Sequence, residues 1–383
     1  MRVTLTSRIF SPEPAAASFR LAALADALDG DGHVVTVLTS TVPGNDVPTT
    51  RRSVTVKRRP VLRDRDGYVR GYLQYLSFDV PLFFRLLFSR TDVVVTEPPP
   101  TTGFVVRVAC AVRRIPYVYY AADIWSDAAV TTGAPHWVVA VVRRMEIAAL
   151  RGASRILSVS DGVTRRLDEL GLGRGVVTIG NGIDTDQFTA DGPARTDQSP
   201  FLLYAGTASE WHGAGIFVEA FAEVRKHVPD ARLVFLGQGA DREQLERAAA
   251  PLGAGVVRFE PRVPPEEVAT WLRGAASSLA SVRPGQGYDF AFPTKMYASA
   301  SCGTPVIYAG DGPGRAFAST PDLGLAVDYS VDDVASAMTT ALLNPPSPQR
   351  RQRIAAWARD NVALVAIAAR ASRVVAEARV RLR

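Results

Sequence analysis

Residues 289–314, DFAFPTKMYASASCGTPVIYAGDGPG, run loop, short helix, tight turn, apolar strand and glycine-rich loop in quick succession. That order at such close spacing is characteristic of a chain alternating strand and helix around a parallel sheet. Pro293 suits the first turn of a helix, Thr294 has a capping side chain, Gly303 is a left-handed stop, and Val306 to Ala309 form a run of parallel-strand length. A helix therefore starts where a loop ends, with free amides that attract anions, and Lys295 adds a full charge in its first turn. That charge opposes the helix dipole unless an anion sits there. The chain carries 44 Lys plus Arg, yet its only lysines are Lys57, Lys226 and Lys295. A lysine where arginine is the habit fits a compact point charge for phosphate, and a solvated helix-start lysine fits these residues equally.

The same alternation extends along the chain. Met1 to Ser7 read as a first strand, Phe19 to Leu28 as a helix, and VVTVLT after Gly32-His33 as a second strand. The loop after the first strand, with Ser11, Pro12 and Glu13, then lies at the carboxyl end of a sheet, where ligands bind in this architecture. Glu13 on its own also fits a solvated loop acid. Tyr68 to Phe88 is the most aromatic stretch and follows the basic run Lys57 to Arg70. It fits either an interfacial segment or core packing on a sheet, with Pro81 interrupting the pattern. DVVVTEPPP and PYVYYAAD are further buried strands, and Asp123 leaves the second of these at its carboxyl end with Asp127 close by. A carboxylate there can take a proton or bond a hydroxyl, and it can equally cap the segment that follows. A short strand then runs into a sharp turn at Asn181-Gly182.

Residues 190–200, rich in Gly, Pro, Asp and Ser, read as a linker, after which strand FLLYAG restarts the pattern. At 383 residues the chain exceeds the roughly 250 to 300 at which single cores stop growing, so two domains are expected. Gly206 and Gly237 each sit between a strand and a helix, where a backbone must approach a ligand. Residues 350–383 read as one long helical region. The net charge of +6 is spread along the chain, without a basic arm, recognition helix or base-stacking motif, which speaks against nucleic acid. Cys110 and Cys302 lie in apolar surroundings away from any paired Cys or His, which argues against a disulfide scaffold or a zinc site and for a reducing, cytoplasmic compartment. Met1 leads directly into a strand, and no apolar run is long enough to span a bilayer, so neither a signal peptide nor a membrane span is expected.

Taken in order, the N-terminal PE loop, EPPP, YAADIWSD, SVSDGVTRRLDELG, IGNGIDTDQF and FPTKMYASASCGTPVIYAG resemble the family 4 retaining glycosyltransferases over nearly the whole chain. The resemblance implies an α/β GT-B fold, two Rossmann-like doubly wound parallel-sheet domains facing each other across a cleft. Residues 1–190 would bind the acceptor, 199–348 the nucleotide-sugar, and 349–383 would cross back to the first domain. It also implies retaining, metal-independent transfer to a glycan or lipid-linked acceptor in cell-surface polysaccharide or glycolipid synthesis, at the inner membrane face, with no cofactor beyond the nucleotide-sugar co-substrate.

The implied donor-binding residues are Gly206, Thr207, His212, Gly237, Arg262, Asp289, Phe292, Pro293, Thr294 and Lys295. Asp123 is the expected catalytic residue on the acceptor side, with Glu13, Asp127 and Asn181 lining the acceptor. The chain departs from the family pattern at Phe290 and Ala298, where relatives carry two glutamates, and at Thr207 and His212, where they carry an arginine and a lysine. Asp289 would then contact the sugar, and Tyr297 or Ser299 the ribose. A nucleotide-sugar epimerase and a non-catalytic nucleotide-sugar-binding partner are the alternative readings.

Overall fold

A computed structural model describes residues 1–13, 15–42, 50–51, 53–64, 69, 71–126, 135–286 and 288–378. The chain divides into two compact units, one made of residues 1–181 with the chain from Leu364 onward, the other of Gly182–Ala363.

In the first unit the strands are β1 (Arg2–Thr6), β2 (Val34–Ser40), β3 (Thr50–Arg51), β4 (Val54–Arg59), β5 (Val93–Thr96), β6 (Tyr117–Ala121), β7 (Arg155–Ser158) and β8 (Val176–Thr178). They form one sheet in the order β3-β4-β2-β1-β5-β6-β7-β8, parallel throughout except for β3 against β4. Val93 and Val95 join one buried cluster with Leu21, Leu24 and Leu28 of helix Ala16–Gly30 and Ile367 and Val375 of helix Leu364–Glu377. Val94 joins another with Phe78, Leu82 and Leu86 of helix Tyr72–Leu87 and Val106 of helix Pro100–Arg113. That alternation explains the all-apolar strands: each face of the sheet is covered by helices.

Pro81 lies inside helix Tyr72–Leu87 and does not end it. The helix loses one amide rung there and keeps its apolar spacing. Core packing and surface exposure both hold for this segment, because Phe78, Leu82 and Leu86 are buried while Leu73, Leu76, Val80 and Phe84 are more than half exposed.

The second unit contains β9 (Phe201–Ala205), β10 (Arg232–Leu236), β11 (Val257–Glu260), β12 (Ser277–Ser281), β13 (Val306–Ala309) and β14 (Gly324–Val327). Their order, β11-β10-β9-β12-β13-β14, is wholly parallel and doubly wound, and it reverses between β9 and β12. In the first unit the reversal lies between β1 and β5.

Two expected borders move. The polar stretch 190–200 is part of the second unit: Arg195 N donates to Thr270 O at 2.9 Å, and the Arg273 guanidinium donates to the carbonyls of Thr189 and Pro193. The division falls at Asn181-Gly182, where composition gives no signal beyond the turn. The C-terminal region is two helices, Pro348–Val362 and Leu364–Glu377, broken at Ala363, which bridges to Ile183. The first packs on the second unit through Ile354 and Ala358, and the second packs on the first unit through Ile367 and Val375.

Candidate functional site

In doubly wound sheets, ligands bind beyond the carboxyl ends of the strands where the strand order reverses. In the second unit that point holds Gly206, directly after β9, and Lys295, in the segment that follows β12. Lys295 Nζ lies 3.5 Å from the centroid of the Tyr204 ring and 3.5 Å from the Thr207 carbonyl oxygen. Among the described residues no carboxylate pairs with it. Burial pushes its ammonium well below the usual lysine range, so an anion placed beside it would restore the charged form.

Two glycines keep this corner open. Gly206, at φ 116°, faces the lysine stem, and a Cβ on Gly237, at φ 136°, would come 2.6 Å from the Gly206 carbonyl oxygen. A hollow lined by Tyr204, Gly206, Gly237, Gln238 and Phe259 lies on the β10 side. Arg242 builds its rim by donating to the carbonyls of Gly237, Phe259 and Glu260.

His212 is buried, and its Nδ1 accepts from the Ser209 amide at 3.3 Å, which leaves the ring proton on Nε2. Burial first, and the charge of Lys295 second, lower its pKa to about 3. At neutral pH it is an uncharged hydrogen-bond donor beside a lysine. Ser281 Oγ donates to the His212 carbonyl at 2.7 Å, which ties this loop to the end of β12.

The start of helix Lys295–Ser301 differs from expectation. Thr294 is exposed, already helical at φ −60° and ψ −16°, and makes no side-chain cap. The amides of Met296 and Tyr297 are taken by the carbonyls of Pro293 and Thr294, each at 3.0 Å. These two amides are therefore not free for a ligand, which leaves the Lys295 side chain as the charged group at this helix start. Pro293 is buried, and Phe292 stacks on Tyr297 at 4.4 Å and meets Phe317 edge-on at 5.5 Å, so both serve packing. Ser299 is buried, accepting from Ser278 Oγ at 2.6 Å and donating to Thr304 O at 2.8 Å, which removes it as a ribose contact. Asp289 is exposed and accepts from Gly285 N at 3.3 Å, fastening its own loop. Thr207 offers its carbonyl, and Arg262 is exposed on the loop after β11.

In the first unit, Glu97 joins the ends of β1 and β5. Its Oε1 accepts from Ser7 Oγ at 2.6 Å and its Oε2 from Arg20 at 3.0 Å, with Glu97 and Arg20 side chains only 5% and 7% exposed. Glu13 is no solvated acid, since it pairs with Arg63 at 2.8 Å with both side chains largely buried. Asp123 follows β6, and its Oδ1 accepts from Ile124 N at 2.8 Å. The next two amides belong to a residue that sequence reading did not single out. Glu146, 1% exposed, accepts from Trp125 N through Oε1 and from Ser126 N through Oε2, both at 2.8 Å. Asn181 is half-buried at the end of this part of the chain, and Asp127 lies outside the described residues.

Glu146 holds the turn that carries Asp123. Replacing it with glutamine leaves one acceptor for two amides, of which that of Ser126 is buried, and a stability loss of about 1–3 kcal/mol is expected in chemical denaturation. Among the described residues, no group of three or more His, Cys, Asp or Glu could hold a metal ion.

The comparisons agree with this architecture. Residues 16–182 match the "Glycosyl transferase 4-like domain" and residues 199–344 match "Glycosyl transferases group 1". The GDP-mannose-dependent alpha-(1-6)-phosphatidylinositol monomannoside mannosyltransferase of Mycolicibacterium smegmatis is 28% identical over 193 residues, covering 47% of this chain and 50% of that enzyme. The match thus spans about half the length of that curated relative. Among solved structures, a sucrose-phosphate synthase from Thermosynechococcus elongatus superposes with a TM-score of 0.78 at 17% identity, covering 98% of both chains. Anabaena Alr3699/HepE in complex with UDP and glucose gives 0.72 at 15% identity, covering 98% of this chain and 99% of that one. With these two domain models matched in order over most of its length and a fold shared end to end, this chain belongs to the glycosyltransferases that join a 4-like domain to a group 1 domain, and its fold is of the GT-B type.

Proposed function

We propose that this enzyme moves a sugar, with retained anomeric configuration, from a nucleotide-sugar held by the second unit to a glycan or lipid-linked acceptor held by the first. The observation that carries the reading is Lys295, an ammonium without a carboxylate partner among the described residues, set where the sheet order reverses. In such a transfer the sugar–phosphate bond breaks and negative charge grows on the departing diphosphate. Lys295 and the Nε2–H of neutral His212 place a charge and a dipole where that negative charge develops. Asp123, on its turn held by Glu146, would meet the acceptor hydroxyl. Incubating the enzyme with a nucleotide-sugar and lipid-linked or glycan acceptors tests the reading: a new glycoside of unchanged anomeric configuration is expected. Release of free nucleotide without any acceptor would favour an epimerase.

We further propose that the first unit works at an anionic membrane surface, where acceptor lipids are met. Leu73, Leu76, Val80 and Phe84 line one exposed face of helix Tyr72–Leu87. Arg85 of that helix donates to the Lys57 carbonyl, and Lys57 and Arg59 are exposed beside it, a pairing of apolar and basic groups suited to a lipid interface. Among the described residues no helix is long and apolar enough to cross a membrane. The phosphatidylinositol-linked acceptor in the name of the M. smegmatis relative supports a lipid acceptor class. Co-sedimentation with vesicles containing anionic phospholipid is expected, weakened about tenfold or more by Leu76→Glu with Phe84→Glu. No sedimentation at moderate salt would contradict it.

A further inference from the structure

One face of the first sheet carries helices Tyr72–Leu87, Pro100–Arg113 and His136–Gly152 side by side. Arg113 of the second donates to the Leu86 carbonyl of the first at 2.7 Å, and Arg107 of the second donates to the Ala148 carbonyl of the third at 2.9 Å. Tyr117, packed with Val94 and Val106 on that face, donates its hydroxyl to the Ala149 carbonyl. Helices laid in one layer on a sheet turn their outer sides the same way.

The outer side of this layer is apolar and positive. The three helices hold six arginines and two carboxylates, Asp79 and Glu146, and both carboxylates are only 1% exposed. Arg143, Arg144 and Arg151 are exposed, and among the described residues no carboxylate pairs with them. Apart from these arginines, His136 and Gly152, every exposed residue described on the three helices is apolar, including Trp137 at 71% and Val112 at 67%. Helices Ala16–Gly30 and Leu364–Glu377, on the opposite face, expose Asp26 and Glu377.

This chemistry separates two kinds of partner. A protein is read through directional hydrogen bonds, and beyond its arginines and His136 the layer exposes no described side chain that could make them. A bilayer needs only apolar groups that insert and positive charge that meets its headgroups. Trp137, Val141 and Arg144 recur at helical spacing along one side of their helix, an indole and an isopropyl group beside a guanidinium, which suits the boundary between acyl chains and phosphates. The outer two helices also hold the turn that carries Asp123 from inside: Tyr75 meets Trp125 edge-on at 6.3 Å, and Glu146 accepts from the Trp125 and Ser126 amides.

Resting on the membrane reading above, we propose that the docking face for an anionic bilayer is the whole three-helix layer and not helix Tyr72–Leu87 alone, with Trp137 and Val141 inserted at the edge formed by helix His136–Gly152. A lipid-linked acceptor in that bilayer then meets a turn held by the same helices that touch the lipid.

Vesicles of phosphatidylglycerol with acyl-brominated phosphatidylcholine test this, because bromine quenches tryptophans that reach the acyl region. The wild type is expected to bind and lose tryptophan emission, while Trp137→Phe binds and loses distinctly less. Val112→Glu with Val141→Glu, which leaves helix Tyr72–Leu87 untouched, should weaken binding about tenfold or more. Equal fractional quenching in wild type and Trp137→Phe, or undiminished binding by the double variant, overturns the three-helix face and leaves the membrane reading standing. Equal binding to vesicles of phosphatidylcholine alone overturns the anionic preference, and no binding to either kind of vesicle overturns both readings.

Discussion

Replacing Lys295 with alanine is expected to lower kcat/KM by about a hundred- to a thousandfold, the loss typical of removing one group aimed at developing charge. The physical reason lies in its surroundings. The ammonium sits over the Tyr204 ring at 3.5 Å and near one carbonyl, contacts that do not replace the hydration its burial removes. A diphosphate supplies the missing counter-charge, and supplies more of it as the sugar departs. Stability should change little, because the variant loses a cation–ring contact together with the cost of burying a charge. Lys295→Arg should rescue only in part, since a planar fork does not reproduce a point charge in this confined corner. Steady-state kinetics with denaturation curves for both variants check this, and a large stability loss in Lys295→Ala would assign the lysine to the fold instead.

Glu97→Ala is expected to give the largest stability loss, about 3–5 kcal/mol, by leaving the Arg20 guanidinium buried without its counter-charge. Arg20 also lies over the Tyr120 ring at 4.9 Å, and Ser7 Oγ would lose its acceptor on Glu97 while keeping its bond to the Ile9 carbonyl. The damage should stay in the first unit. Because two units unfold in one chain, a single midpoint is a poor readout, and hydrogen exchange resolved by segment is the fitting one. Faster exchange in β1, β5 and helix Ala16–Gly30, with β9 and β10 unchanged, is the expected pattern. Equal loosening of both units would contradict it.

The sheets were legible because their strands are short apolar runs closed by turn residues. VVVT, YVYYA, FLLYA and VIYA are each fully buried strands. Their parallel pairing follows from the helical spacing between them. The unit border was not legible, because polar composition at 190–200 marks a linker only where nothing holds it, and here Thr270 and Arg273 do. In the candidate site, Lys295 stood out because the chain otherwise uses arginine, and His212 because the family resemblance implied a basic residue at its place. Glu146 gave no such signal: it lies in the middle of helix His136–Gly152, and only the fold brings it to the Trp125 amide. Ser299 misled in the opposite way, since a serine reads as available until both its bonds are seen inside the core.

On the proposed function, the second unit binds a nucleotide-sugar at the end of β9 through Lys295. Isothermal titration of the wild type and Lys295→Ala with UDP-, GDP-, dTDP- and ADP-linked sugars tests it directly. One donor is expected to bind the wild type clearly and to lose at least about tenfold in affinity in the variant, a difference of about 1.4 kcal/mol. No binding of any donor by folded wild type, or equal binding by both proteins, would contradict it.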